Sequence, residues 1–492
     1  MKICVLQPDY SQSTVEADYK NCEPPRNLSH LLPEDQVDHV FLNKATTYRQ
    51  LKDLKKQGYD IFVNLCTGCL DWDVPSIDVI VALEQLNLPY TGPTFDLYDP
   101  GKELMKYVAY IAGVRTPAFV KAETLADVER ACQNLQFPLF VKPAASSDSL
   151  GIDRQSYVTT KEALQSKVAE LIANFGQVLI DEYIPGREFT VLVAANPEER
   201  RSPITYKSLE FVFPEGEQFK TYDLKVRQHH PKRNIPCSDS ELDLRLRDAA
   251  KNIFLAFNGA GYARLDFRVN EKKEIFFLEV NFNPSIFFEG GAEASADYIL
   301  KYDEVGASSF LKHIMAEGIT RYQRRQKKFK VCGNAISGYG IYAVTDLKAG
   351  EIIFQGEEYP KRIVTRDYVQ SHWSASEQEE FRQYAVPLSE EVFMFWDENP
   401  ANWIPQNHSC EPNIGYRGLN IYALKDIAVE EELTVDYATI ENEDFPEFQC
   451  QCGSPKCRGI IRGTPGNSVT QRQKKLKNSQ LKIEVAHSLY LT

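Results

Sequence analysis

The sequence lacks the features of several broad protein classes. No apolar run in its 492 residues approaches the roughly 18 that a membrane-spanning helix needs, so we expect no membrane span. The apolar start from Met1 to Pro8 is too short and too soon interrupted for a secretory signal, and is typical of a first β-strand. No internal repeat is visible. The length and a hydrophobic content of 43% predict about three packed domains.

Positive charge is also scarce. The formal net charge is −13 at pH 7 and the pI is about 5.3, which argues against broad affinity for nucleic acid. The 11 cysteines come without a secretory signal and fit a reducing compartment better than a disulfide framework. We therefore expect a cytoplasmic protein that binds neither nucleic acid nor membrane.

Two short stretches depart from this acidic average. Residues 321–330 carry many basic side chains and no acid, and the tail after Gly463 is also basic. An acidic partner would explain both stretches. We favour a solvated linker at 318–328 and a frayed basic tail at 464–492.

Two neighbouring segments carry the clearest chemical signal. Residues 263–269 and 274–282 are predicted as strands, with a turn at 270–273 between them. Because side chains alternate along a strand, one face is expected in the core and the other on a shared polar surface. The expected core positions are Leu265, Phe267, Val269, Phe276, Leu278, Val280 and Phe282. The expected polar positions are Arg264, Asp266, Arg268, Glu279 and Asn281.

If these strands pair, two carboxylates and a carboxamide converge beside a guanidinium group. Oxygen ligands of this kind suit Mg²⁺, and an adjacent arginine suits phosphate. The alternative is a solvated hairpin with an ordinary polar side. The rest of the chain favours a nucleotide site.

Other elements follow from apolar spacing and from helix breakers. Residues 1–98 alternate short strands and helices, the pattern of a small α/β unit. A helix is predicted from Lys102 to Gly113, with Leu104, Val108, Ile111 and Ala112 at helical spacing. Further strands are predicted at 140–143 and 177–184, and further helices at 161–175 and 240–258.

Residues 1 to about 315 resemble the ATP-grasp ligases of the D-alanine–D-alanine ligase type. The segments that carry the resemblance are the helix beginning at Lys102, the strand in 137–143, the polar run 144–152, the segment 178–191 and the two strands described above. The resemblance implies the cofactors ATP and Mg²⁺. The implied ATP-binding residues are Lys102, Lys142, Asp181, Glu182 and Glu188, and Arg264 is the implied catalytic residue. The implied Mg²⁺ ligands are Asp266, Glu279 and Asn281.

Three segments depart from the pattern of that family. Residues 7–10 and 65–68 lack the expected glycine-rich turn and His-Gly pair. Ser285 stands where a glycine normally supplies a backbone donor to the tetrahedral intermediate. The ATP-binding segments therefore resemble the family more closely than the segments that would contact the acceptor substrate. We expect substrates that differ from those of the relatives.

Residues 329 to about 463 carry a second resemblance. Residues 338–343 could be taken for a dinucleotide fingerprint, but that motif requires a helix next, and strand, turn and strand are predicted instead. Together with residues 407–413 and 431–437, this segment resembles a SET domain. The resemblance implies S-adenosylmethionine as cofactor and Tyr437 as a catalytic residue. The implied S-adenosylmethionine-binding residues are Gly338, Gly340, Asn407, His408 and Tyr437.

A tight group of cysteines follows the SET-like region. Cys450, Cys452 and Cys457 offer three thiolates, whereas a structural zinc site needs four ligands. Resemblance to the post-SET motif supplies Cys410 as the fourth. Unpaired surface thiols are the alternative.

The expected fold class is α/β followed by α+β. It comprises an ATP-grasp ligase, with a pre-ATP-grasp α/β domain and a two-part ATP-grasp domain, and then a mostly β SET domain with a post-SET zinc site. The expected boundaries are a pre-ATP-grasp domain at 1–98, an ATP-grasp domain at 99–317, the linker at 318–328, a SET domain at 329–447, a zinc motif at 448–463 and the basic tail at 464–492.

We predict a bifunctional enzyme: an ATP-dependent carboxylate–amine ligase fused to an S-adenosylmethionine-dependent methyltransferase that acts on an amine. The ligase substrates would be small carboxylates and amines such as amino acids or peptides. The alternative is a protein-lysine methyltransferase whose ATP-grasp part is a degenerate nucleotide- or partner-binding scaffold. A third hypothesis is a ligase whose SET part is a zinc-bound interaction module. A homodimer is left open, as is a nuclear location if the SET domain acts on chromatin proteins.

Overall fold

The computed structural model describes residues 1–11, 13–14, 23–68, 72–144, 150–221, 233–358, 362–395 and 404–474. The chain divides into two compact units, Met1–Gln323 and Arg324–Thr492. This division lies inside the predicted linker. Among the described residues, every helix is too short or too polar to cross a membrane.

The first unit alternates strands and helices. Its described strands are β1 (Lys2–Pro8), β2 (Gln36–Leu42), β3 (Ile61–Asn64), β4 (Phe119–Ala122), β5 (Leu139–Pro143), β6 (Tyr157–Val158), β7 (Val178–Glu182), β8 (Arg187–Ala194), β9 (Ile204–Thr205), β10 (Leu209–Phe211), β11 (Asn234–Pro236), β12 (Tyr262–Val269) and β13 (Ile275–Asn281). Its described helices are α1 (Thr47–Lys55), α2 (Ile77–Gln85), α3 (Lys102–Ile111), α4 (Asp127–Asn134), α5 (Lys161–Phe175), α6 (Ser240–Ala256), α7 (Ser295–Tyr302) and α8 (Gly306–Arg325).

These strands form separate sheets. In the described part of the first unit, β1 lies between β2 and β3 and is parallel to both. Ile3 and Val5 are fully buried in β1, as are Cys4 and Leu6 on its other face, because helices or loops cover both sides of such a sheet. A second sheet has the order β4-β7-β5-β6, and a third has the order β11-β10-β8-β12-β13, with β9 on β8.

The alternation predicted for β13 is wrong at two positions. Phe277 is fully buried, whereas Phe276 and Leu278, which we expected in the core, are only partly buried. The cause is a β-bulge: Asp266 is opposite Glu279, but the next residue, Phe267, is opposite Phe277. Leu278 is the extra residue, and it shifts the rest of β13 by one position.

The predicted helix at Lys102 is present as α3, but its buried face differs from the expectation. Leu104 and Ile111 are 52% and 77% exposed, while Met105 and Ala109 are buried. Lys106 is buried between them. The apolar spacing located the helix, but a buried lysine interrupts its core face.

The basic stretch also differs from the prediction, because it does not begin as a solvated linker. Helix α8 continues to Arg325. Arg321 is buried and donates hydrogen bonds to the backbone oxygens of Gly92 and Tyr90, both at 2.8 Å. Arg321 thus provides hydrogen-bond donors for two backbone carbonyl groups of the first unit.

The second unit is mostly β. Its described strands are β14 (Phe329–Asn334), β15 (Gly338–Ala343), β16 (Ile352–Phe354), β17 (Arg362–Thr365), β18 (Val386–Pro387), β19 (Val392–Phe395), β20 (Asn407–His408), β21 (Ile414–Arg417), β22 (Asn420–Ala423), β23 (Thr434–Val435), β24 (Phe448–Gln449) and β25 (Ile460–Ile461), and its described helices are α9 (Arg366–His372) and α10 (Ala375–Tyr384). Residues 338–343 form β15, which pairs with β14, and no helix follows immediately. Next come a bend, an isolated bridge at Leu347, a turn and β16, so the first of the two predicted strands is reduced to a single bridge.

Candidate functional site

The strands with the acidic side chains pair with each other. In the antiparallel pair β12–β13, Asp266 is opposite Glu279 and Arg264 is opposite Asn281. Asp266 is buried, and the Glu279 side chain is 37% exposed. The structure therefore brings together the predicted metal ligands and the predicted arginine.

Arg264 is engaged by its neighbour on the same strand. Its Nε and Nη2 donate to the two carboxylate oxygens of Asp266 at 3.2 and 3.1 Å. Burial acts to raise the pKa of Asp266, but the positive charges of Arg264 and Lys220 hold it at about 2. Asp266 is therefore ionised at neutral pH.

The donor set at this position fits a hard divalent cation. Asp266 and Glu279 offer carboxylate oxygens, and Asn281 offers a carboxamide oxygen, which are the ligand types that Mg²⁺ prefers. The Asn281 Oδ1 accepts a hydrogen bond from the backbone N–H of Asn283 at 2.9 Å. This bond orients the carboxamide and leaves its second lone pair for a metal ion.

Two lysines share one buried carboxylate on the neighbouring sheet. Asp181 lies 2.9 Å from the Nζ of Lys142 and 3.1 Å from the Nζ of Lys106. Burial acts to lower the pKa of Lys142, but Asp181 and Glu279 raise it above the ordinary value. Burial, reinforced by the Lys142 charge, lowers the pKa of Lys106 to about 8 despite Asp181.

Lys102 approaches the metal-ligand group from helix α3. It is the first residue of the helix, and its Nζ lies 3.7 Å from Glu279 Oε2. Its side chain is 10% exposed. Lys102 and Lys142 therefore both place positive charge near Glu279.

Glu188, one of the implied ATP-binding residues, has two cationic partners. Glu188 is buried at the start of β8, and its carboxylate lies 3.0 Å from the Nζ of Lys220 and 3.4 Å from Arg268 Nη2. Arg268 also donates to the backbone oxygens of Ile184 and Gly186 at 3.2 and 3.3 Å. This arginine thus holds the segment between β7 and β8.

Most of these side chains line one cleft of about 160 Å³, although Lys102, Lys106 and Asn281 are not among its lining residues. Charged groups and aromatic rings are in contact there: Lys220 Nζ lies 4.6 Å from the ring centroid of Phe211, and Arg268 Cζ lies 5.1 Å from that of Tyr183. Glu182 lies in the wall, with its carboxylate accepting a hydrogen bond from the backbone N–H of Gln136 at 2.8 Å. The lining includes Phe140, Lys142, Asp181, Glu182, Tyr183, Glu188, Phe211, Phe219, Lys220, Arg264, Asp266, Arg268, Leu278 and Glu279. Aromatic faces and charged groups in one cleft suit a nucleotide base and its phosphates.

Sequence reasoning missed two lysines of this cleft region. Lys106 is one helical turn after Lys102, and that spacing is a signal that could have placed both on one face of α3. Lys220 had no comparable signal, because its partner Glu188 is distant in the sequence.

The segments that depart from the family pattern are held by buried hydrogen bonds. Gln7 exchanges hydrogen bonds with the backbone of Arg26, and the Arg26 guanidinium donates to the oxygens of Leu65 and Ile286 at 2.9 and 3.2 Å. Asn283 Nδ2 donates to the oxygen of Cys66 at 2.8 Å. The altered residues therefore lie beside the end of β13, next to the acidic group.

In the second unit, strand pairing joins the two SET-like motifs. Strands β20 and β23 are parallel, with Asn407 opposite Thr434 and His408 opposite Val435. Asn407 Nδ2 donates to the oxygen of Tyr339 at 3.0 Å and to Glu432 Oε1 at 2.6 Å.

Gly340 packs closely against these two side chains. A Cβ at Gly340 would lie 2.5 Å from Glu432 Oε1 and 2.8 Å from Asn407 Nδ2. Gly338 has a φ of +86°, a conformation that glycine adopts without strain. Both predicted glycines thus shape the backbone around Asn407.

Tyr437 and His408 lie beside each other. Their ring centroids are 5.4 Å apart, and the backbone N–H of Tyr437 donates to His408 Nδ1 at 3.2 Å. The Tyr437 hydroxyl donates to the oxygen of Gln406 at 2.5 Å. Burial, with the Glu441 charge, raises the pKa of Tyr437 to about 12, so the hydroxyl keeps its proton at neutral pH.

The four predicted cysteines form one cluster. The Sγ atoms of Cys410, Cys450, Cys452 and Cys457 all lie within 4.8 Å of one another, and those of Cys410 and Cys450 are 3.9 Å apart. Zinc–sulfur bonds of about 2.3 Å in a tetrahedron put sulfur atoms roughly 3.8 Å apart. The cluster therefore fits a closed zinc site.

Parts of two predictions lie outside the described residues. These are residues 145–149 of the polar run and residues 475–492 of the basic tail.

Comparisons with known proteins agree with both resemblances. A family model described as "D-ala D-ala ligase C-terminus" matches residues 107–287, and one described as "SET domain" matches residues 338–438. The two resemblances predicted from the sequence are confirmed, and so is the fold class of an ATP-grasp ligase region followed by a SET domain.

Curated relatives of the first region are bacterial ligases. The D-alanine–D-alanine ligase of Janthinobacterium sp. (strain Marseille) is 31% identical over 217 residues, which cover 42% of this chain and 64% of that ligase. The D-alanine–D-alanine ligase of Enterococcus hirae is 27% identical over 260 residues, 50% of this chain and 68% of that ligase. The chain thus spans about two thirds of the length of these relatives.

Solved structures of such ligases cover a similar part of the chain. The D-alanine–D-alanine ligase from Coxiella burnetii has a TM-score of 0.48 at 18% identity and covers 66% of this chain and 96% of its own. The ligase from Bacillus anthracis complexed with ATP has a TM-score of 0.47 at 17% identity, with 66% and 99% covered.

Proposed function

We propose that the protein is a bifunctional enzyme, an ATP-dependent carboxylate–amine ligase joined to an S-adenosylmethionine-dependent methyltransferase that acts on an amine. The observation that carries the first half is the register of β12 and β13, which puts Asp266 opposite Glu279 and Arg264 opposite Asn281. We propose the domain boundaries predicted above for the parts that carry each activity. The ligase substrates would be small carboxylates and amines, such as amino acids or peptides.

The charges of the cleft suit phosphoryl transfer. Joining a carboxylate to an amine requires an activated acyl group, which ATP supplies as an acyl phosphate. Asp266, Glu279 and Asn281 would hold Mg²⁺, whose charge neutralises phosphate oxygens. Lys102 and Lys142 would bind phosphates as point charges, and Arg264 would contact the transferred phosphoryl group with its planar guanidinium. This chemistry depends on positioning and charge, so no side-chain nucleophile is needed.

The ion pairs already present in the cleft would have to change when ATP and Mg²⁺ bind. Arg264 is held by Asp266, and Glu188 is held by Lys220 and Arg268. ATP and Mg²⁺ would have to exchange these ion pairs for new ones. We therefore propose that Arg264 moves from Asp266 to phosphate when the metal ion binds.

The second half would transfer a methyl group to an amine. Asn407 and His408 would bind S-adenosylmethionine beside Gly338 and Gly340, and Tyr437 would orient the amine. An amine nucleophile must arrive neutral and in line with the methyl–sulfur bond. The zinc ion would be structural, holding the segment around Cys450 against Cys410.

The ligase half is tested by ATP turnover with a library of amino acids, read by release of ADP and by the mass of condensed products. We expect condensation by the wild type and at least about a 100-fold loss in Asp266→Ala, because a metal ligand is removed. Asp53→Ala, which removes an exposed carboxylate of α1 that pairs with Lys56, is the matched control and should keep its activity. Wild-type protein that releases no ADP with any pair of amino acids would refute the ligase.

One observation favours the alternative of a lysine methyltransferase with a degenerate ligase scaffold. Asp181 and Glu188, both implied in ATP binding, are each already paired with two cations. If the alternative holds, the wild type methylates a protein lysine, shows no ATP turnover, and Asp266→Ala leaves methylation unchanged.

A further inference from the structure

Glu441 is a buried carboxylate that the mechanism above does not use. It follows the short turn Tyr437–Thr439 and is 9% exposed. Its backbone is fixed, since its N–H donates to Tyr437 O at 2.8 Å and its oxygen accepts from Thr464 N at 3.0 Å. Within the described residues, its side chain has no hydrogen bond and no ion pair. A buried acid without a partner is costly and calls for a ligand.

The groups around Glu441 lead to Tyr437. The hydroxyls of Tyr437 and Tyr416 donate to the backbone oxygen and to the side-chain Oε1 of Gln406, at 2.5 and 2.8 Å. The Glu441 charge acts on both tyrosines and raises the pKa of each, in addition to burial. The backbone hydrogen bond from Glu441 N–H to Tyr437 O places Glu441 one turn after the residue that would orient the amine.

Arg472 is the cation that faces Glu441. It donates to the backbone oxygen of Ile440 at 3.0 Å, and its Nη2 is buried without a partner in the described part of the chain. Burial raises the pKa of Glu441 to about 8, and Arg472 acts against this rise. Tyr384 and Glu432 are the other titratable groups that act on Tyr437, and both raise its pKa. Within the described residues Arg472 and Glu441 do not form an ion pair, and the raised pKa leaves Glu441 largely protonated at neutral pH.

A methyl acceptor with a primary amine must lose a proton before it reacts. Free alkyl amines have a pKa of about 10.4, so they arrive as ammonium ions at neutral pH. Tyr437 cannot take the proton, because its hydroxyl is already donated to Gln406 and its pKa is about 12. Glu441 lies one turn after Tyr437, and its ionised form can take the proton; with a pKa of about 8 that form is a minority at pH 7.5 and predominates above pH 8.

We propose that the Glu441 carboxylate binds the primary ammonium group of the methyl acceptor and takes up its proton, an inference that rests on the methyltransferase function proposed above. An N–H bond of the ammonium breaks and an O–H bond forms on Glu441. The nitrogen lone pair then forms a bond to the methyl carbon of S-adenosylmethionine. The carbon–sulfur bond breaks, its electron pair stays on sulfur, and S-adenosylhomocysteine and a methylated ammonium ion result.

The test uses the full chain and the isosteric variant Glu441→Gln. Glu447→Gln is the matched control, because Glu447 lies in the same segment but its side chain is 58% exposed. The probes are L-lysine and Nα-acetyl-L-lysine amide, which distinguish a free amino acid from a lysine within a chain. Single-turnover methyl transfer is followed from about pH 7 to about pH 10, where the amine begins to lose its proton unaided.

We expect Glu441→Gln to lower the rate about 100-fold at pH 7.5, the scale of a lost general base, and the gap to narrow to less than about tenfold near pH 10. Calorimetry should show that Glu441→Gln binds S-adenosylmethionine with a dissociation constant within about twofold of the wild-type value. With S-adenosylhomocysteine bound, L-lysine should bind about tenfold more weakly to Glu441→Gln than to Glu447→Gln at pH 7.5.

Two results would overturn the inference alone: a pH profile of Glu441→Gln parallel to the wild type, or an equal loss at every pH, which would mark a structural role beside Arg472. Wild-type protein that binds S-adenosylmethionine but methylates neither probe would also overturn this inference, whereas wild-type protein that binds no S-adenosylmethionine would overturn the proposed methyltransferase function and this inference with it.

Discussion

Lys106 is buried in the first unit, with only 1% of the residue exposed. A lysine is almost never buried to this extent without a partner for its ammonium group. Its partner is Asp181, which it shares with Lys142. Removal of either partner of a buried pair leaves an uncompensated charge. We therefore expect Lys106 to position Asp181 and Lys142 for the phosphates, without touching them itself.

The pH dependence of stability tests this role. The pKa of Lys106 is about 8 in the folded state and about 10.4 in an unfolded chain, so the unfolded state binds more protons between these values. The free energy of unfolding contributed by Lys106 should therefore rise with pH from about 8 to about 10.4. Urea unfolding should show this rise in the wild type relative to Lys106→Met. Lys52→Met, at an exposed lysine of α1, should run parallel to the wild type, and a parallel curve for Lys106→Met would contradict the assignment.

Single residues of the site were predictable where local rules decide them. Arg264, Asp266, Glu279 and Asn281 share a surface because side chains alternate along paired strands, and that rule needs only the sequence. The burial of Lys106 was not predictable, because it depends on Asp181 in β7, a different element. The same holds for the pairing of Glu188 with Lys220.

At the scale of elements, the bulge in β13 decides which side chains enter the cleft. Leu278 is the extra residue, so Glu279 faces Asp266 while Phe277 still reaches the core. Strict alternation would have required Phe276 and Leu278 in the core. A bulge has no reliable signal in a single apolar run such as Ile275–Leu278, which is why this register could not be predicted.

Deletion of Leu278 is expected to remove the bulge, so that β12 and β13 pair without a shift. It should also change the direction in which the Glu279 side chain points. Because Phe277 and Val280 can stay buried, the unfolding temperature should change by only a few degrees, whereas ATP turnover should fall about tenfold or more, since small misplacement of a catalytic group is costly. Leu278→Met keeps the residue count and is the control, with near wild-type turnover. Equal turnover of the deletion and Leu278→Met would show that the bulge has no part in catalysis.

The post-SET segment is a second element whose position depends on a few contacts. Strands β24 and β25 have only two residues each, too short to be stable alone. The cysteine cluster reaches from this segment back to Cys410 in the motif that contains Asn407 and His408. We infer that metal binding, more than strand pairing, orders this segment.

For the whole molecule, two compact units predict two unfolding transitions with different sensitivity to metal. A zinc chelator should lower only the transition of the second unit, by several degrees, because the cluster lies there. Cys457→Ser should already show the lower transition and no response to chelator. Cys332→Ser, outside the cluster, should respond like the wild type. A shift of both transitions, or of neither, would contradict a structural zinc site confined to the second unit.

The union of a ligase-like region with a SET domain in one chain leads us to predict that the condensed product is also the methyl acceptor. With ATP, Mg²⁺, S-adenosylmethionine and amino acids, the wild type should form a condensed and methylated product. Asp266→Ala should form neither the condensed product nor the methylated form of that product, because its ATP site lacks a metal ligand. When purified unmethylated product from the wild type is added, Asp266→Ala should methylate it at close to the wild-type rate. Glu441→Gln should give the opposite pattern, with condensation retained and methylation lost at pH 7.5. If mass spectrometry shows Asp266→Ala leaving the added product unmethylated while the wild type methylates it, the two activities do not act in this sequence.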